Sequence, residues 1–180
     1  EETGLIIPVG KWIIQNAFSM CTECRKYYPE FRVSINLSYV QILKSPLMME
    51  LKQMIDHSGI SCSGIIVELT ESGYLEGTPA VRSVWNDMKQ LRIQIALDDF
   101  GTGYSNLMNI SNLEPDIVKL DRGFTLKALS RSYEYQLMQY VIEMVHKLNQ
   151  YVCVEGVETK EDLEKIKALG PDLIQGYYYL

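Results

Sequence analysis

The chain has 180 residues, of which 47% are hydrophobic and 22% charged, a composition typical of a globular domain that can bury a substantial core. No apolar run reaches the length of a membrane span, and no basic stretch followed by an apolar segment opens the chain. The net charge of -6 comes from interleaved signs without a basic stripe, so we expect neither duplex nucleic acid as a partner nor membrane contact by this segment. We expect a cytoplasmic segment, whether or not upstream segments tether the protein to a membrane.

Short β-branched runs alternate with segments of helical character along the chain. In the first half, the predicted elements are a helix that starts at Pro8 and carries Trp12, Ile13 and Ala17, a strand at 33–37, a helix at about 46–57, a strand at 65–69 and a helix at about 79–91. In the second half, they are strands at 93–97 and 117–120, a helix with a core-facing stripe of Leu137, Tyr140, Val141, Met144, Val145 and Leu148, a strand at 151–154, a helix from Thr159 to Gly170, and a strand at 173–177. Strands that alternate with helices pair in parallel, so the fold class is α/β.

Polar side chains stand at the carboxyl end of every predicted strand. In chain order they are Asn36, Glu68, Asp98 with Asp99, Lys119 with Asp121, Glu155 and Gln175. Because residues i and i+2 of a strand share a face, the last polar residue of each strand continues one face, while the opposite face stays apolar throughout. This pattern is typical of a (β/α) barrel whose active site lies at the carboxyl ends of its strands.

Two other interpretations of these residues compete with the barrel. Taken singly, an acidic residue at a strand end is more often a helix cap or a solvated loop residue, and Lys119 is most simply an ion-pair partner. Independent caps have no reason to share the inward face, so the whole set of residues, and not any one of them, favours the barrel. An open doubly wound sheet would concentrate its site at one switch point instead of supplying a polar residue from all six strands.

The predicted ligands are oxygen donors only. Asn36, Glu68, Asp98 and Asp99 include no histidine or cysteine, which favours Mg²⁺ or Mn²⁺ over zinc. Adjacent aspartates can serve two ions, with Asp98 bridging them, and paired ions support the in-line displacement of a phosphoryl group.

Lys119 and Glu155 are the predicted catalytic residues. Lys119 either neutralises charge on the phosphorane or holds the attacking water, and Glu155 either ligates the second ion or accepts a proton. The loop of Gly101, Thr102 and Gly103 follows the two aspartates, and it is either a functional loop or a plain tight turn.

The four cysteines do not form a recognisable metal or disulfide pattern. Cys21 and Cys24 have Cys-x-x-Cys spacing, but no second pair completes a zinc site. We expect Cys21, Cys24, Cys62 and Cys153 to be reduced.

Six ordered motifs resemble the signature of the EAL-domain cyclic-di-GMP phosphodiesterases. They are Asn36-Leu37-Ser38, Glu68-Leu69-Thr70-Glu71-Ser72, Asp98-Asp99-Phe100-Gly101-Thr102-Gly103-Tyr104-Ser105, Lys119-Leu120-Asp121, Glu155-Gly156-Val157-Glu158-Thr159 and Gln175-Gly176-Tyr177. The resemblance runs from Glu1 to Tyr177, so residues 1–180 are expected to form a single partial EAL domain.

The resemblance implies a reaction and a role for each motif. It implies hydrolysis of cyclic-di-GMP to linear pGpG by two Mg²⁺ or Mn²⁺ ions, with Asn36, Glu68 and Asp98 on the first ion and Asp98, Asp99 and Glu155 on the second. It implies that Glu71 anchors the glycine loop, which in this family links catalysis to formation of a homodimer. Asp121, Glu158 and Gln175 are implied as supporting residues of the active site.

The same resemblance implies that part of the fold lies before Glu1. The glutamate of the Glu-Ala-Leu motif is not in this sequence, nor are two strands that would precede Glu1. The expected fold is therefore an incomplete TIM-like (β/α) barrel that lacks its first two strands and one ligand of the first ion, and the fragment itself is expected to be inactive or weakly active.

Two alternative functions compete with hydrolysis. One is an EAL-like receptor that binds cyclic-di-GMP without cleaving it; such receptors usually lose metal ligands, and every ligand visible here is present. The other is an unrelated Mg²⁺ barrel such as an enolase-type lyase, which predicts a Lys or His base and no double aspartate at one strand end.

Overall fold

The computed structural model describes residues 3–70, 78–102, 110 and 114–179. The chain divides into two compact units, Glu1–Ile95 and Ala96–Leu180. Within the described ranges, none of the helices has the length and apolar character needed to cross a membrane. All four cysteines are free in the structure.

The described part of the first unit, up to the start of β3, forms two strands and four α-helices. These are α1 (Ile6–Arg25), β1 (Val33–Asn36), α2 (Tyr39–Lys44), α3 (Leu47–Ser58), β2 (Ile65–Thr70) and α4 (Pro79–Gln90). β1 and β2 pair in parallel, with Ile35 opposite Val67 and Asn36 opposite Glu68. Helices α1 and α3 pack against each other, and their buried residues include Ile14, Phe18 and Leu51.

Local sequence signals set the helix ends in this unit. Ser38 and Gln41 form a capping box that starts α2 immediately after β1. Thr78 accepts a hydrogen bond from the Val81 N–H at the start of α4, where Pro79 occupies the first turn. α3 ends at Gly59, whose φ of 68° is the left-handed conformation that favours glycine.

The second unit contains β3 (Gln94–Phe100) from Ala96 onward and the elements that follow it. These are β4 (Ile117–Leu120), α5 (Arg122–Ser130), α6 (Ser132–Lys147), β5 (Tyr151–Val154), α7 (Lys160–Lys167) and β6 (Leu173–Ile174). Within this unit β3 pairs with β4, β4 with β5 and β5 with β6, all in parallel. Neighbours in chain order without a reversal of strand order are typical of a (β/α) barrel and not of a doubly wound sheet.

The predicted apolar face of the strands is buried. Every residue assigned to it has at most a small exposed fraction, namely Ile35, Leu37, Val67, Leu69, Ile95, Leu97, Val118, Leu120, Val152 and Val154. In the second unit α6 packs against β5, and α5 packs against α6 and α7. The predicted apolar face is therefore buried in β1 to β5, and in β4 the opposite face, with Ile117 and Lys119, is buried as well.

Several predicted helix faces and boundaries were wrong. In α6 the buried residues are Met138, Ile142 and Val145, whereas the predicted stripe included Leu137 and Tyr140, which are exposed. Residues 138, 142 and 145 satisfy helical spacing as well as the predicted stripe does. Periodicity alone is therefore compatible with burial of either of two adjacent faces of this helix.

The other differences concern α1, β3 and β6. α1 begins at Ile6, two residues before Pro8, because the first turn of a helix tolerates a missing N–H. Trp12 and Ile13 on this helix are exposed. β3 runs on from the predicted Leu97 to Phe100, while β6 is only two residues long.

Candidate active site

The centre of the candidate site is a buried lysine between two carboxylates. Lys119 lies in β4, and 5% of its surface is exposed. Its Nζ lies 3.0 Å from Asp98 Oδ1 on β3 and 2.6 Å from Glu155 Oε1, directly after β5. A buried ammonium is stable only when it is paired, and here each neighbouring strand supplies one partner. The structure therefore brings Asp98, Lys119 and Glu155 together, as the strand-end pattern predicted.

A β-bulge places two aspartates opposite this lysine. Leu97 is opposite Val118 and Phe100 is opposite Leu120, so Asp98 and Asp99 together oppose Lys119. Asp99 has a φ of 61°, a left-handed conformation that aspartate adopts more readily than most residues. Asp98 is buried and Asp99 is exposed. The sequence predicted both aspartates at this strand end. It did not predict the bulge, because the alternation of residues that indicates the strand continues without interruption up to Asp98.

The donor chemistry of this cluster suits a hard divalent cation. Asp98, Asp99 and Glu155 carry three negative charges against the single positive charge of Lys119, which leaves a net charge of -2. Both hydrogen-bonding contacts of Asp98, from Lys119 and from the Asp99 N–H at 3.0 Å, involve Oδ1. Within the described part of the chain, Asp98 Oδ2 accepts no hydrogen bond, so it remains available as a ligand.

The described side chains do not by themselves form a three-ligand centre. Among the described residues, no three His, Cys, Asp or Glu side chains converge on one point. The position of Lys119 explains this for the second unit, because its ammonium lies between Asp98 and Glu155. Oxygen donors, a negative charge excess and an available Asp98 oxygen fit Mg²⁺ or Mn²⁺ nonetheless.

Two of the predicted ligands lie side by side in the first unit. Asn36 and Glu68 are register partners at the carboxyl ends of β1 and β2. Glu68 is buried, and its Oε1 accepts a hydrogen bond from the Ser34 hydroxyl. The amide of Asn36 is exposed. Asn36 is the last residue of β1, as predicted, whereas β2 continues two residues beyond Glu68 to Thr70.

Asp121 has a clear local role. Its Oδ1 accepts hydrogen bonds from the Gly123 N–H at 2.7 Å and the Phe124 N–H at 3.3 Å, which makes it the N-cap of α5. The helix therefore begins at Arg122, three residues after Lys119 and directly after the cap that follows β4.

Glu158 is held by a residue that the sequence patterns did not indicate. Arg122 donates two hydrogen bonds to Glu158 Oε1, from Nη2 at 2.7 Å and from Nε at 3.1 Å. This hydrogen bond, and then the charge of Glu158, raise the pKa of the Arg122 guanidinium. The signal that could have identified Arg122 is spacing, because Arg122 follows Lys119 by three residues and Glu158 follows Glu155 by three.

Gln175 lies at the edge of a cleft beside Glu155. The cleft has a volume of about 350 Å³ and is lined by Arg122, Glu155, Gly156, Gln175, Gly176 and Tyr177. The Gln175 N–H donates to the Val154 carbonyl at 2.9 Å, and its own carbonyl accepts from the Val157 N–H at 3.2 Å. The backbone of Gln175 therefore continues the sheet past β6 while its exposed side chain remains at the cleft.

The predicted glycine loop is described only in part. Gly101 has a φ of 105°, and a Cβ at this position would lie 3.0 Å from the Phe124 ring. The Thr102 hydroxyl donates a hydrogen bond to the Asp99 carbonyl at 3.1 Å, which ties the loop to the bulge. Gly103 and the predicted loop anchor Glu71 lie outside the described residues.

Comparisons with known proteins identify the family. The sequence model of the EAL domain matches residues 1–180. The cyclic di-GMP phosphodiesterase PdeR of Escherichia coli is 32% identical over 99% of this chain, which corresponds to 27% of the PdeR sequence. The chain thus spans about a quarter of the length of the curated phosphodiesterases that it matches.

Solved structures agree with the fold prediction. The structure of the PaMucR phosphodiesterase in complex with c-di-GMP superposes with a TM-score of 0.89 at 28% identity, covering 98% of this chain and 72% of that one. The manganese and cyclic-di-GMP complex of Klebsiella pneumoniae BlrP1 at pH 6 has the same fold, with a TM-score of 0.82 at 23% identity over 95% of this chain and 43% of that one. The predicted TIM-like (β/α) fold class is confirmed, and the chain belongs to the EAL domain family.

Proposed function

We propose that this chain provides the catalytic residues of a cyclic-di-GMP phosphodiesterase, which cleaves one phosphodiester bond to give linear pGpG. One observation carries the proposal: Lys119 is held between Asp98 and Glu155 at the carboxyl ends of three neighbouring parallel strands. The names of PdeR and PaMucR, both phosphodiesterases, support this substrate and reaction.

The metal ligands are assigned within each unit. In the second unit we assign Asp98, Asp99 and Glu155 as ligands, and in the first unit the register partners Asn36 and Glu68. When bound, two Mg²⁺ or Mn²⁺ ions would supply Lewis-acid polarisation of the phosphate and a nucleophile at neutral pH.

Lys119 orients the two carboxylates on either side of it. Its ammonium fixes one oxygen of Asp98 and one of Glu155, and it adds a positive charge where negative charge develops on the phosphate during displacement. A preorganised charge in a buried position needs no reorganisation during the reaction, which is why its removal is expected to reduce kcat more than substrate affinity.

Product analysis with matched variants tests the proposal. The chain with an upstream extension is incubated with cyclic-di-GMP and Mn²⁺, and pGpG is quantified by chromatography for the unsubstituted protein (the parent), for Lys119→Met and for Lys165→Met. Lys165 forms an exposed ion pair with Glu161 and is the control, because it lies on α7 and takes no part in the cluster. We expect Lys119→Met to lower turnover by about 100-fold or more and Lys165→Met to leave it unchanged.

Two results would overturn the proposal. Binding of cyclic-di-GMP without pGpG formation, when the assay also includes an upstream extension of the chain, would indicate a receptor. Equal turnover by Lys119→Met and the parent would exclude the assigned cluster. A homodimer, a single domain over residues 1–180 and a cytoplasmic location are further predictions, the first of which sedimentation measurements test.

A further inference from the structure

Two strand–helix junctions of the second unit run in parallel beside the cleft. The first passes from Lys119 in β4 to Arg122 at the start of α5, and the second passes from Glu155 to Glu158 after β5. Two ion pairs join them, one from Lys119 to Glu155 at 2.6 Å and one from Arg122 to Glu158 at 2.7 Å. The first pair is buried and the second is exposed, so an outer ion pair accompanies the inner one three residues farther along each segment.

The backbone around Glu155 is fixed on both sides of a glycine. The Glu155 N–H donates to the Leu120 carbonyl at 3.1 Å, and the Val157 N–H donates to the Gln175 carbonyl at 3.2 Å. Gly156 lies between these two anchored residues with a φ of 79°. Because glycine has the broadest conformational freedom of all residues, a restraint on Gly156 also restrains the adjacent Glu155.

The stem of Arg122 supplies such a restraint. A Cβ added to Gly156 would lie 2.4 Å from Arg122 Cγ and 2.8 Å from Arg122 Cβ, so the arginine stem packs directly on the glycine backbone. The guanidinium then reaches past Gly156 to Glu158, to which it donates two hydrogen bonds. Arg122 therefore contacts the turn at two points, immediately after Glu155 and three residues beyond it.

We propose that Arg122 is a positioning residue for Glu155, holding the turn of residues 155–158 so that the Glu155 carboxylate stays against the Lys119 ammonium. The inference deepens the proposed hydrolysis and rests on it for its kinetic readout. The Arg122–Glu158 ion pair is exposed, and exposed ion pairs contribute little to folding stability. Arg122 also does not touch the reacting atoms, so neither folding nor direct catalysis accounts for the contact. A carboxylate displaced by about 1 Å can cost up to about 100-fold in rate.

Four variants separate the stem from the charge. Arg122→Gln keeps most of the stem and removes the charge, Arg122→Ala removes both, Arg122→Lys keeps a charge with fewer donors, and Glu158→Gln removes the acceptor charge. We expect kcat to fall about 10-fold for Arg122→Gln and Glu158→Gln and about 100-fold for Arg122→Ala, with KM within about twofold. Arg122→Lys is expected to recover part of the loss, and the Arg122→Gln/Glu158→Gln double variant to match the single ones because both break one contact.

Arg131→Gln is the matched control. It removes another exposed arginine–glutamate pair of the same unit, to Glu134 at 3.1 Å, and is expected to leave kcat and KM unchanged. Melting temperatures of all variants are expected to stay close to that of the parent. A rise in KM at unchanged kcat would mean that Arg122 binds substrate through the cleft, and it would overturn the positioning role.

A second readout decides the inference even if no hydrolysis is found. The NMR chemical shift of the Glu155 carboxyl carbon is compared at one fixed pH in the parent, in Arg122→Ala and in Arg131→Gln. A changed chemical shift in Arg122→Ala alone is expected, because the carboxylate would then move relative to the Lys119 ammonium. An unchanged chemical shift refutes the positioning role, while absent turnover with a changed chemical shift refutes only the proposed reaction.

Discussion

Lys119 and Glu155 form an ion pair with 2.6 Å between Nζ and Oε1, across the boundary between two adjacent parallel strands. The lysine also contacts Asp98 at 3.0 Å on its other side. All three side chains are largely shielded from solvent, so each charge depends on the others for the interactions that water would otherwise supply. The cluster is therefore important for stability as well as for the proposed chemistry.

Replacing Lys119 with methionine is expected to lower the free energy of unfolding by about 3 kcal/mol, because two buried carboxylates lose their shared cation. Urea unfolding at pH 7 measures the difference. Adding Asp98→Asn to Lys119→Met should recover part of the loss by removing one uncompensated charge. Lys165→Met, which breaks an exposed pair, should unfold at the urea concentration of the parent. A Lys119→Met variant as stable as the parent would rule out the buried cluster.

Asp99→Asn and Asp99→Ala should differ in stability although both remove the carboxylate. Asparagine tolerates the left-handed conformation at φ 61°, whereas alanine is expected to lose about 1 kcal/mol there. Thermal unfolding measures this difference, and calorimetric titration with Mn²⁺ measures the ligand role. If the two variants unfold alike but bind Mn²⁺ differently, the backbone argument is wrong.

Gly176→Ala is expected to be far more damaging than Gly170→Ala. A Cβ at Gly176 would lie 2.0 Å from the Val157 carbonyl oxygen and 2.5 Å from the Val157 nitrogen, and neither backbone atom can yield easily. Gly170 has a φ of 74° but open space around it, so its substitution costs only backbone strain. We expect losses of about 3 kcal/mol at Gly176 and about 1 kcal/mol at Gly170. Chemical denaturation of both variants checks the order, which a similar loss at the two positions would contradict.

Cys21 should react slowly with iodoacetamide in the native protein. Burial, the largest effect, raises the pKa of the Cys21 thiol, so a smaller fraction is thiolate at pH 8 and the sulfur is also inaccessible. Because the folded state favours the protonated thiol, this contribution to stability is present below the ordinary thiol pKa and is lost as pH rises through the raised one.

Peptide mass spectrometry after timed alkylation measures the reaction at Cys21. Alkylation of the protein in urea is the control, and it should remove the protection. Rapid labelling of Cys21 under native conditions would show that α1 does not bury this thiol as described.

The strand-end cluster could be predicted from the sequence because it depends on rules that hold for any parallel sheet. Residues at the carboxyl ends of neighbouring parallel strands lie side by side, so Asp98, Lys119 and Glu155 could be assigned to one place before any coordinates were known. The register pair Asn36 and Glu68 follows from the same rule. Burial of the opposite strand face follows from the period of two residues.

Features that depend on three-dimensional contacts were not predictable in this way. The bulge at Asp98 and Asp99 arises because two residues of β3 lie opposite Lys119 of β4. The pattern of residues within β3 alone does not show how its residues pair with those of β4. The pairing of Arg122 with Glu158 joins residues 36 positions apart, and each alone reads as an ordinary surface charge. The buried face of α6 was ambiguous because apolar residues occupy both candidate stripes.

The bulge in β3 also predicts which sequence changes this strand can accept over evolution. Removing Asp99 alone would leave Asp98 opposite Lys119 and Phe100 opposite Leu120, and the ladder would run uninterrupted. Such a shortened chain would make a more regular sheet and keep only one of two consecutive acidic groups. A deletion here would thus favour folding but remove the second carboxylate. We therefore expect natural selection to act against insertions and deletions in this strand more strongly than against most substitutions in it.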